Sequence, residues 1–186
     1  MTPATPVPGQ ITTLAIVGAP GAGKSTVGRA VAHRLGIPFI DVDHFVATKA
    51  GKSVQDIFLN DGEAAFRAME LEATLECLGQ PGVVSLGGGA VMNPLIRRAL
   101  AAHHVVWLQV SAAQATRRVG LNHGRPLLSG NVRSRLVKLL QERTPLYADV
   151  ASITIDTNGQ KPGAVVVMVL RALGHDDVEE ETHDEH

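Results

Sequence analysis

Gly18-Ala19-Pro20-Gly21-Ala22-Gly23-Lys24-Ser25 combines closely spaced glycines with one lysine and one hydroxyl. That combination binds phosphate. Glycines let the backbone curl so that successive N–H groups point inward at anionic oxygens. A helix starting after the loop adds the partial positive charge of its N-terminus. Lys24 supplies a point charge for the β- and γ-phosphates, and the Ser25 hydroxyl suits Mg2+. The octet fits G-x-x-x-x-G-K-[ST] without departure. It follows the apolar run Leu14–Val17 and opens a helical stretch, the context the motif requires. It implies nucleoside triphosphate binding and says nothing of the acceptor.

Other residues bear on the acceptor. Asp41 and Asp43 lie at the end of an apolar run; in an extended chain, positions two apart point the same way. Two carboxylates facing one crevice need a cation or a proton between them. Mg2+ at Asp41 would leave Asp43 to accept from a hydroxyl; a helix N-cap or a turn is the other reading of the pair. Gly87-Gly88-Gly89 ends a further run, either as backbone that a ligand approaches closely or as a flexible turn. Arg67 and Glu70 are three apart on a helix and can pair, on the surface or aimed into a cleft. Arg125 stands in a glycine-containing loop, and Arg143 ends a helical stretch; each is also readable as a surface charge. Arg97 and Arg98 read as surface residues, and Cys77, the single cysteine, as a reduced core thiol.

Five apolar runs must position these groups: Leu14–Val17, Phe39–Val42, Val83–Leu86, Val105–Val110 and Ile153–Asp156. Near-continuous apolar character marks strands buried on both faces. Helical stretches alternate with them at Ser25–Leu35, Glu63–Leu78, Pro94–Ala102, Ala112–Val119, Asn131–Arg143 and Gly163–Leu173. The first is expected to stop at Gly36, and the fifth at Thr144-Pro145, because a residue before proline avoids helical geometry. Alternation of this kind predicts an α/β fold, a five-stranded parallel sheet flanked by helices. Residues 1–11 and 175–186 read as tails, the latter acidic and almost without apolar content, around one domain over 12–174. The stretch 120–130 reads as a mobile lid or as a plain surface loop.

The bulk composition excludes several classes. The formal net charge of -1 argues against a nucleic-acid binder, so anion recognition must rest on locally placed arginine and lysine. No apolar run approaches the roughly 20 residues of a bilayer span. The N-terminus has no basic and apolar segments of a signal peptide. A cytoplasmic protein is expected.

The succession GAPGAGKST, FIDVD, GEAAFRAMELE, LGGGAV, GRPLL and ERTPLY resembles shikimate kinase from residue 12 to 174. The resemblance implies a P-loop kinase of the nucleoside-monophosphate-kinase type with a mobile lid; a monomer is expected, although the sequence does not itself reveal oligomeric state. It would use ATP and Mg2+ to phosphorylate the shikimate 3-hydroxyl, giving shikimate 3-phosphate for aromatic amino-acid synthesis. It implies that Gly21, Ala22, Gly23, Lys24, Ser25 and Thr26 hold ATP. Arg118 and Gln160 would lie on the adenine side, and Ser25 and Asp41 would serve the metal. Asp43, Arg67, Gly87, Gly88, Gly89 and Arg143 would hold shikimate, the two arginines gripping its carboxylate. Arg125 would be a lid arginine meeting the phosphates, so that Lys24, Asp43 and Arg125 form the catalytic set. Phe58 and Phe66 match apolar positions near the acceptor. His123 and the acidic tail lie outside the pattern. A gluconate kinase is one competing reading, and it does not need two arginines aimed at a ring carboxylate. A nucleotide-binding module without catalysis is the other; its mark would be loss of Lys24, Asp43 or Arg125, and all three are present.

Overall fold

The computed structural model describes residues 12–122 and 129–175. In chain order the elements are β1 (Thr13–Val17), α1 (Lys24–Leu35), β2 (Phe39–Asp41), α2 (Val42–Ala50), α3 (Val54–Asn60), α4 (Glu63–Leu78) and β3 (Gly82–Ser85). A single 3-10 turn (Ala90–Met92), α5 (Pro94–Leu100), β4 (His104–Gln109), α6 (Ala112–Asn122), α7 (Ser129–Val150), β5 (Ile153–Asp156) and α8 (Pro162–Ala172) follow. The strands form one parallel sheet in the order β2-β3-β1-β4-β5. The predicted α/β architecture is therefore the observed one.

The centre of the sheet explains its apolar sequence. Every residue of β1 and β3 is buried, as are Val105, Val106, Trp107 and Leu108 of β4. Strands covered on both faces have no polar side to present. The registers level the carboxyl ends: Asp41 lies beside Ser85, Ser85 beside Ile16, and Val17 beside Trp107. Segments leaving β1, β2 and β3 thus emerge along one edge. Connections from the adjacent strands β1 and β4 run to opposite sides, which opens a crevice there.

Three local readings are corrected. The run Phe39–Val42 is strand only to Asp41; Val42 opens helix α2, and Asp41 is its N-cap, accepting from the His44 N–H at 3.2 Å. Asp41 and Asp43 are therefore a cap and a first-turn residue rather than alternate positions of a strand. Helices α2 and α3 were not anticipated. Their caps were visible in the sequence: Ser53 accepts from the Asp56 N–H at 3.0 Å, a Ser-x-x-Asp signature, and Gly51 closes α2 at φ 65°. Finally, α7 does not end at Thr144-Pro145 but passes through Pro145 to Val150. Proline inside a helix costs about 3 kcal/mol. The added turn buries Tyr147 completely and packs Leu146 and Val150 against the core. Burying one large apolar side chain is worth about 1.5–3 kcal/mol, so tertiary packing offsets the local penalty.

Candidate active site

The phosphate loop follows β1 and turns directly into α1. Gly23, the N-cap of α1, sits in the left-handed region at φ 90°, which a side chain would strain. A Cβ on Gly18 would come within 2.7 Å of the Leu108 carbonyl, so the loop also needs glycine to lie against β4. Lys24 donates to the Ala19 carbonyl at 3.1 Å, holding its ammonium within the loop. Burial lowers its pKa to about 8, against the pull of Asp43 and Asp41 and with help from Arg143. A lysine desolvated in this way gains strongly from an arriving polyanion.

Beside the loop is a cavity of about 480 Å3 lined by Gly21 to Val27, Arg118, Thr157, Gln160, Pro162 and Val165. That volume suits a small-molecule ligand. Arg118 of α6 closes one wall, donating to the Gly21 carbonyl at 3.2 Å, to Thr157 Oγ1 at 3.1 Å and to the Thr157 carbonyl at 2.8 Å. Residues 21–26 of the phosphate loop, Arg118 and Gln160 thus line one cavity.

Ser25 Oγ donates to Asp41 Oδ2 at 2.6 Å. A hydroxyl and a carboxylate oxygen, adjacent at the mouth of a phosphate loop, are hard donors suited to Mg2+ with phosphate oxygens completing its shell. Among the described residues no group of three or more His, Cys, Asp or Glu side chains could hold a metal ion by itself.

A second half-site lies against the glycine triplet. None of Gly87, Gly88 and Gly89 has a positive φ, so these glycines answer to space rather than to torsion. A Cβ on Gly87 would come within 2.5 Å of Glu70 Oε1 and 2.9 Å of Asp43 Oδ1; on Gly89, within 2.6 and 2.7 Å of the Arg67 terminal nitrogens. The close approach visible here is to the chain's own charged side chains. Arg67 Nη1 donates to Glu70 Oε2 at 2.7 Å, and Arg67 also reaches Glu63 at 3.2 Å. Glu70 is almost fully buried, so the pair is aimed inward rather than being a solvated surface pair. Phe58 and Phe66 pack as a tilted pair, 4.5 Å between centroids, with the Arg67 guanidinium 5.4 Å over the Phe66 ring.

Three buried polar atoms in this half-site have no hydrogen-bond partner among the described residues: Asp43 Oδ1, Glu70 Oε1 and Arg143 Nε. Orphaned buried polar atoms cost free energy and mark where a polar ligand would be received. Burial raises the Asp43 pKa, Asp41 adds to the rise, and Lys24 and Arg67 oppose it. Burial likewise raises Glu70, with Arg67 opposing. The charge of Arg143 is felt at Lys24, Glu70 and Tyr147, which brings it into the same cluster.

Not every expected residue joins the site. Arg125, and with it most of the expected lid, lies outside the described residues. Arg97 donates to the Val91 and Met92 carbonyls at 2.7 and 3.2 Å, bracing the turn after the glycines. Cys77 is buried in the core, its thiol pushed up to about 11 by burial, which suits the core reading. Sequence reasoning missed Tyr147, whose hydroxyl donates to the Gly88 carbonyl at 2.6 Å. The tyrosine was visible after Thr144-Pro145, but its partner is 59 positions away.

Comparison with known proteins bears on the acceptor. The model of the family described as shikimate kinase matches residues 20–174. A shikimate kinase of Thermobifida fusca is 50% identical over 159 residues, spanning 85% of this chain and 92% of the relative. The solved shikimate kinase from Acinetobacter baumannii, in complex with shikimate, superposes with a TM-score of 0.82 at 33% identity, covering 91% of this chain and 96% of that one. A gluconokinase from Sinorhizobium meliloti shares the fold alone, at a TM-score of 0.58 and 20% identity over 89% of this chain and 94% of its own.

Proposed function

The chain belongs to the shikimate kinase family, and from that membership we infer that it transfers the γ-phosphoryl group of ATP to shikimate, giving shikimate 3-phosphate and ADP. The observation that carries the assignment of roles is the cluster of orphaned atoms, Asp43 Oδ1, Glu70 Oε1 and Arg143 Nε, beside Gly87–Gly89 and within electrostatic reach of Lys24.

Phosphoryl transfer asks a protein mainly for positioning and charge stabilisation. Gly21, Ala22, Gly23, Lys24, Ser25 and Thr26 hold the triphosphate, with Arg118 and Gln160 on the base side of their shared cavity. Arg67 and Arg143 grip the shikimate carboxylate, for which the planar guanidinium fork is well matched. Glu70 keeps Arg67 in position through its 2.7 Å bond. The backbone of Gly87, Gly88 and Gly89 lines the ring. Asp43 Oδ1 accepts from the 3-hydroxyl, orients its oxygen toward the γ-phosphorus and takes up its proton. The raised pKa of Asp43 brings its basicity closer to what that step needs. Lys24 neutralises charge on the transferring group, and Arg125 meets the phosphates from the lid. Ser25 and Asp41 would hold Mg2+, which, when bound, neutralises charge on the phosphate oxygens.

The kinase unit occupies residues 12–174, with the lid at about 120–130 and flanking segments at 1–11 and 175–186. Among the described residues no helix is long and apolar enough to cross a membrane. The reading extends to a cytoplasmic monomer, which the single buried thiol and a half-site built from one chain's own residues support. A coupled ADP-release assay with ATP and Mg2+ tests the whole reading. Release is expected with shikimate and not with gluconate; equal release with both, or none with shikimate, would refute it.

A further inference from the structure

We propose that Tyr147 is a positioning residue for the acceptor, fastening helix α7 to the Gly87–Gly89 segment and thereby setting where Arg143 stands relative to the glycine wall; the proposal rests on the acceptor reading above. Tyr147 is fully buried, and its ring stacks on Trp107 of β4 at 5.9 Å between centroids. A phenylalanine would fill the same space. The hydroxyl is therefore what needs explaining, and it donates to the Gly88 carbonyl at 2.6 Å. Residues four apart on a helix share a face, so Tyr147 lies one turn beyond Arg143 and on its side.

Pro145 falls between the two. Having no N–H, it cannot donate to the carbonyl four residues back, so this turn of α7 lacks one of its own ties. A helix weakened there needs an external one to hold Arg143 in register with β3. The glycine segment is held on its other sides as well: Gly88 against Pro20 of the phosphate loop and Gly89 against the Arg67 guanidinium. Both acceptor arginines are thus joined to the triplet, Arg67 by direct contact and Arg143 through Tyr147. Burial pushes the Tyr147 hydroxyl up to about 12, with Arg143 opposing, so it remains a protonated donor at any pH near neutrality.

The test is Tyr147→Phe in the full chain, assayed with ATP and shikimate. Removing the hydroxyl takes away its bond to the Gly88 carbonyl and its interaction with Arg143; at about 0.5–1.5 kcal/mol for one such bond, KM for shikimate should rise at least about threefold, with kcat and KM for ATP nearly unchanged. A purely structural tyrosine would lower the melting temperature and leave both KM values alone. That result, or an equal rise in both, overturns the proposal. A second measurement needs no variant: Trp107 is the sole tryptophan and touches Tyr147, so titrating shikimate into the wild type should change its emission. An emission insensitive to saturating shikimate overturns the proposal even if Tyr147→Phe does not fold. Wild type inactive on shikimate would instead refute the acceptor reading, so the two failures are distinguishable.

Discussion

Lys24 and Arg143 carry charges whose surroundings make measurable demands. With its pKa lowered to about 8 by burial, Lys24 is partly neutral in mildly alkaline solution, and a bound triphosphate should restore its proton. ATP binding should therefore take up little proton at about pH 7 and approach one at about pH 9, as read by calorimetry in buffers of different ionisation enthalpy. The sign for stability follows: between about 8 and 10.5 the folded chain holds fewer protons than the unfolded one, so this group makes stability rise with pH across that window. Lys24→Met should abolish both the uptake and turnover and melt no lower than wild type at neutral pH. If Arg143 grips the acceptor's carboxylate, Arg143→Ala removes a charged partner of the acceptor. Such a bond is worth about 1.5–3 kcal/mol, so shikimate affinity should fall roughly ten- to a hundredfold. A shikimate analogue without the carboxylate should bind wild type and variant alike.

Single turns of chain decide how the elements meet these charges. Asp41 has two duties, capping α2 and accepting from Ser25 Oγ. They are separable, because asparagine caps as well as aspartate whereas alanine loses about 1 kcal/mol. Asp41→Asn should keep the wild-type melting temperature and require more Mg2+ for half-maximal rate; Asp41→Ala should lose both. Equal Mg2+ requirement in wild type and Asp41→Asn would remove Asp41 from the metal site. The glycine triplet offers a steric test. A Cβ on Gly89 meets the far end of the Arg67 side chain, which can move, so Gly89→Ala should fold. It should nonetheless displace the guanidinium from the acceptor and raise KM for shikimate at least about tenfold, with KM for ATP little changed.

For the whole molecule, two half-sites are built on one sheet edge, one around the phosphate loop and one around Gly87–Gly89, with Lys24 and Asp43 between them. Helix α7 runs from Ser129 past Arg143 to the core at Tyr147. If Arg125 acts on developing phosphate charge, Arg125→Ala should lower the single-turnover transfer rate by roughly a hundredfold or more while shikimate affinity changes little. The opposite pattern would make Arg125 an acceptor ligand.

The sequence by itself determined the sheet and the chemistry of the phosphate loop. Strands buried on both faces must be continuously apolar, and a loop that wraps phosphate must have glycine at given spacings; both constraints act over a few neighbouring residues and so are legible in order. The pairing of Arg67 with Glu70 was legible for the same reason, being one helical turn. Only the tertiary structure decided that Asp41 caps a helix, that α7 continues through Pro145, and that Gly87 and Gly89 clear space for Asp43, Glu70 and Arg67. It alone joined Tyr147 to Gly88. In each of these cases the partner is remote or the local preference is outweighed. A proline penalty of about 3 kcal/mol stops a helix when nothing beyond it is buried, and yields when a tyrosine is buried and two aliphatic side chains pack against the core.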